Sequence, residues 1–111
     1  MDMEKDTAIE NDQKVAEGNA ERLGDYFEGQ IPDCKVTHRW NDGFDSQRFF
    51  FARDRKNKYI LDVGSEVLRD STTAKIIARL EAANWKQALE SHSDEIAHFT
   101  STGFTFRAWP K

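Results

Sequence analysis

Cysteine is nearly absent. Cys34 is the sole thiol in 111 residues, so no disulfide can close within the chain and a reducing compartment suits it. Long apolar runs are missing too, and none approaches the ~20 residues a bilayer span requires. The first residues, Met1-Asp2-Met3-Glu4-Lys5-Asp6, hold neither a basic region nor an apolar stretch, so no secretory leader is expected. These absences predict a soluble, cytoplasmic protein. Proline is confined to Pro32 and Pro110, and each reads as a stop. Basic charge falls short of acidic charge, with a formal net of −4, which gives no general reason to bind a polyanion. The sequence has no metal-ligand spacing, nucleophile elbow, phosphate loop or internal repeat, so no cofactor is predicted.

Aromatics are plentiful: eight Phe, three Trp and two Tyr. They supply large buried areas and offset the low aliphatic content. The charge is placed unevenly. Residues 1–30 hold nine acids against three bases, and residues 31–111 hold thirteen bases against eleven acids. Residues 1–12 are therefore expected to form a flexible acidic N-terminal arm, and 13–111 a single α+β domain.

The period of the apolar positions changes along the chain. From Gln13 it is helical, with Ala16, Ala20, Leu23 and Phe27 in one narrow stripe. Gly18 and Gly24 weaken that helix by roughly 1 kcal/mol each. Lys35–Trp40, Gln47–Arg53 and Tyr59–Val63 alternate in steps of two and read as strands, with a turn at Asn41-Asp42-Gly43 and a polar tip over residues 54–57. Ser65 caps a short turn, and Asp70 or Ser71 a longer helix carrying Ile76, Leu80 and Ala83. Asn84 interrupts that stripe and predicts a bend or two short helices. Glu95–Phe99 and Phe104–Trp109 read as a closing hairpin. The predicted fold is α+β, in the order α-β-β-β-α(α)-β-β: an antiparallel sheet of about five strands with helices mainly on one face. The α-β-β-β-α part is similar in order to double-stranded RNA-binding domains. The full order with an acidic isoelectric point is similar to small dimeric chaperones of secreted effectors. Both likenesses are of element order, with no shared motif.

Side-chain parity in the central hairpin places Phe50, Ala52, Tyr59, Leu61 and Val63 on one face. Phe49, Phe51 and Ile60 fall on the other, beside Arg53, Lys58 and Asp62. A sheet with one wet face should be polar on that side. The expectation is that Phe49, Phe51 and Ile60, with Trp40 or Trp109 nearby, form an interface for a protein partner or a second copy.

Three other kinds of chemistry come into question. His38, His92 and His98 offer imidazoles for acid–base work in a small hydrolase or nuclease, but their spacing marks no known site. His92 and His98 with the carboxylates between them are too far apart on a strand to share a metal. Cys34 at a strand entrance reads as a small buried residue rather than a nucleophile. Arg53, Arg55, Lys56 and Lys58 make a basic hairpin tip that fits nucleic-acid phosphates beside Phe49 and Phe51, or simply a solvated turn guarding a sheet edge. The sequence thus favours a small non-enzymatic protein-binding module, such as an inhibitor, immunity-type protein, antitoxin or chaperone-like adaptor. Nucleic-acid binding through the tip and a histidine-based hydrolase are the alternatives.

Overall fold

The structure, a computed structural model, describes residues 3–109, with side chains from residue 13 onward. Its order is α1 (Met3–Phe27), β1 (Lys35–Asn41), a 3-10 turn (Asp42–Phe44), β2 (Ser46–Arg53), β3 (Lys56–Gly64), α2 (Ser65–Asp70), α3 (Thr73–Ala82), α4 (Trp85–Ser91), β4 (Glu95–Thr100) and β5 (Gly103–Ala108). This matches the order read from the sequence. The helical spacing seen from Gln13 belongs to a longer element that starts at Met3. Of the segment 1–12, expected as a flexible arm, residues 1 and 2 lie outside the described residues and 3–12 form the first turns of α1.

The strands lie in the order β1-β2-β3-β4-β5. The sheet is mixed, which corrects the antiparallel expectation: β3 and β4 run parallel, from Ile60↔Ile96 to Val63↔Phe99. The cause is the connection. Three helices intervene between β3 and β4 and carry the chain back to the end where β3 began, so β4 can only enter in the same direction.

The local signals explain the elements. In α1, Asn19 joins Ala16, Ala20, Leu23 and Phe27 on one face, and Ala20, Leu23 and Phe27 are buried. Gly24 lets this helix approach β1 closely, because a Cβ there would lie 3.0 Å from the His38 ring. Thr72 caps α3 by accepting from the Lys75 N–H at 3.3 Å. Asn84 has φ 55°, the left-handed turn that separates α3 from α4. The two-residue tip Asp54-Arg55 has positive φ at both positions, as a tightly twisted hairpin requires.

The core lies between the helices and one sheet face. Phe27 of α1 sits edge-on to Phe49 (5.0 Å), Phe51 (5.4 Å) and Trp85 of α4 (4.9 Å). Leu61, Val63, Ala97 and Phe99 continue the same face across β3 and β4. Asn19 ties α1 to α2: its Nδ2 donates to the carbonyls of Leu68 (2.7 Å) and Ser71 (2.8 Å). Its Oδ1 accepts from the Thr73 hydroxyl at 2.5 Å. These bonds satisfy carbonyls that the end of a short helix otherwise leaves open.

Candidate functional site

A β-bulge between Phe51 and Ala52 decides which side chains can reach a partner. Without it, Phe49 and Phe51 would share a face with Ile60. The extra residue pairs Phe49 with Leu61 and Phe51 with Tyr59 instead. A one-residue slip exchanges the two faces of a strand. Phe49 and Phe51 are therefore fully buried under α1 and α4, and the interface expected from them is corrected: they are core. Ile60 lies on the opposite face, opposite Phe50 and Ile96, and is also buried. Trp40 closes the far end of β1, whereas Trp109 follows β5 beside Asp94 at the other end of the sheet. The five residues do not form one surface.

The face away from the helices covers itself. Asp62, completely buried in the middle of β3, accepts two bonds from Arg48 (2.7 and 3.0 Å) and one from Arg107 (2.7 Å). The 3-10 turn brings Phe44 over the same cluster, and the Arg107 guanidinium lies 3.6 Å from its ring centroid. Arg39 stacks on Phe50 at 5.2 Å. The guanidinium groups of Arg48 and Arg107, held by the Asp62 carboxylate, thus lie on the same sheet face as Ile60 and Ile96 and help to cover it. His98, next to Asp62 in β4, has its pKa lowered. Burial is the chief cause; Arg107 and Arg48 add to it, while Asp62 and Glu66 oppose it.

The histidines do not converge. His38 lies on the helix-covered face and bonds Gln47 at 2.7 Å. His98 lies on the other face. His92 stacks on Phe106 at 3.6 Å and bonds Glu95 at 2.8 Å. Among the described residues no group of three or more His, Cys, Asp or Glu could hold a metal ion. Cys34 is buried. At the basic tip, Arg55, Lys56 and Lys58 are exposed, but Arg53 is turned inward onto the Pro32 carbonyl at 2.9 Å. Phe49 and Phe51 face away from solvent, so the tip has no stacking platform from them.

The sharpest exposed feature lies where β1 turns into β2. Trp40 is 44% and Phe44 48% exposed. Trp40 is fixed by its indole N–H, which donates to Asp42 at 2.6 Å. It lines a cleft of about 360 Å3 together with Ala16, Glu17, Asp45, Leu68 and Arg69. No sequence pattern marked this cleft, because α1, the turn and α2 meet only in the folded chain. Among the described residues no helix is long and apolar enough to cross a membrane. Neither protein-family models, nor curated proteins, nor solved structures yield a match to this chain, so the functional reading rests on its own geometry.

Proposed function

We propose that the chain is a non-enzymatic protein-binding module that docks its partner at the Trp40 cleft. The observation that carries the reading is Trp40 itself: a large aromatic ring, 44% exposed, hydrogen-bonded to Asp42 beside a cleft lined by Ala16 and Leu68. Exposed aromatics beside a pocket are typical interface anchors, since a tryptophan has only two side-chain torsions to order when a partner arrives. The cleft is large enough for one or two apolar side chains of the partner.

The test is a photo-crosslinking amino acid in place of Glu17, exposed and lining the cleft, irradiated in an extract of the source cells. A discrete protein adduct, bound about thirtyfold or more weakly after Trp40→Ala, is the expected result. An adduct that disappears with nuclease, or an affinity indifferent to Trp40→Ala, would overturn the reading.

A further inference from the structure

We propose that β5 is a seam between two copies of this chain, pairing antiparallel with its counterpart about a two-fold axis at Thr105. This surface lies on the opposite sheet edge from Trp40 and does not depend on what binds there.

The two edges of the sheet are treated differently. β1 is guarded. Lys35 and Arg39 are exposed along it, and its Val36 N–H is occupied by the Glu28 carboxylate at 3.0 Å. β5 is not. Its register with β4 runs unbroken from Glu95↔Ala108 to Thr100↔Gly103, without a bulge. It contains no proline, and its single charge, Arg107, is drawn onto Asp62 on the far face. Among the described residues no side chain caps the backbone of Phe104–Ala108. Alternate residues of such a strand turn their N–H and C=O groups outward, which makes it a template for another strand.

The sequence of β5 fits itself. Phe104-Thr105-Phe106 reads the same in both directions. Antiparallel pairing centred on Thr105 sets Phe104 against the partner's Phe106 twice over, and Thr105 against its own copy. Arg107 then falls opposite the partner's Gly103, so no like charges meet. Phe104 and Phe106 are only half-buried, stacked on each other at 6.0 Å. They floor a groove beside α4 with Ala83, Ala88 and His92. None of the eight residues lining that groove is Asp, Glu, Lys or Arg, in a chain that is 32% charged. An uncharged surface suits a second uncharged surface. The product is one continuous sheet running through the dimer, twice the five strands of a single chain.

Sedimentation of the full chain tests this. The wild type is expected at twice 12.8 kDa. Thr105→Asp places two carboxylates face to face on the axis, and is expected to leave folded monomers, because Thr105 is exposed and on the face without helices. Thr105→Lys should do the same, and an equal mixture of the two variants should dimerise again. Where a variant fails to fold, Thr105→Cys serves in its place: oxidation should join two chains through position 105. A wild type that stays monomeric at millimolar concentration, a dimer insensitive to both charges, or an otherwise intact dimer of Thr105→Cys that forms no cross-link on oxidation would each overturn the proposal.

Discussion

Asp62 is a charged residue in the centre of a sheet, and its neighbours explain why it is tolerated. Arg48 (11% exposed) and Arg107 (31% exposed) both close on it. Removing the carboxylate leaves two guanidinium groups packed over apolar strands with no counter-charge. Asp62→Ala is therefore expected to destabilise by about 3–5 kcal/mol, measured by chemical denaturation. Arg107→Met should cost much less, since Arg48 still occupies both carboxylate oxygens. His98 adds a pH dependence. Its folded-state pKa is below the ordinary histidine value, so the unfolded chain takes up the proton first as pH falls. The stability this group contributes is present above about pH 6.5 and is lost below it. His98→Asn should shrink the drop in thermal midpoint between neutral and mildly acidic buffer, and an unchanged drop would assign that dependence to other groups. Asn19→Ala should cost about 1–3 kcal/mol, because it strips the donors from two carbonyls at the end of α2.

Among the elements, α3 is the simplest case. Ile76 and Leu80 are fully buried on its inner face, and Leu80→Ala should cost about 2–5 kcal/mol in thermal or denaturant unfolding. The central hairpin reverses the prediction its sequence invites. Phe51→Glu, aimed at an interface, should instead unfold the domain, because Phe51 has no exposed surface. The elements were readable because each carries its own period and punctuation: Asn84 stops α3, Asn41-Asp42-Gly43 turns β1 into β2, and the alternation of Phe49, Leu61 and Val63 marks strands. Their faces were not readable. The bulge at Phe51-Ala52 falls where no glycine announces it, and its effect reaches every residue beyond it. The direction of β4 was hidden too, because it depends on the path of the helices before it. Asp62 and Asn19 look like ordinary surface residues until the partners from distant segments are in place. Trp40 was picked out by its type alone. Its cleft is made by three segments that no local pattern links.

For the whole molecule, the topology divides the sheet into a meander of β1, β2 and β3 and a hairpin of β4 and β5. Their backbones meet in the short parallel pairing from Ile60↔Ile96 to Val63↔Phe99, and the Arg107–Asp62 bridge spans the same joint. The meander is closed by neighbours in sequence, whereas the joint waits until α2, α3 and α4 have crossed the sheet. The entropy of closing that long crossover must be met before the parallel pairs form. The meander and the β4–β5 hairpin are therefore expected to form before they dock on each other. Native-state hydrogen exchange should then show the amides of Ile96–Phe99 opening at lower free energy than those of Phe49–Phe51, as a cooperative unit that detaches while the rest of the chain stays folded.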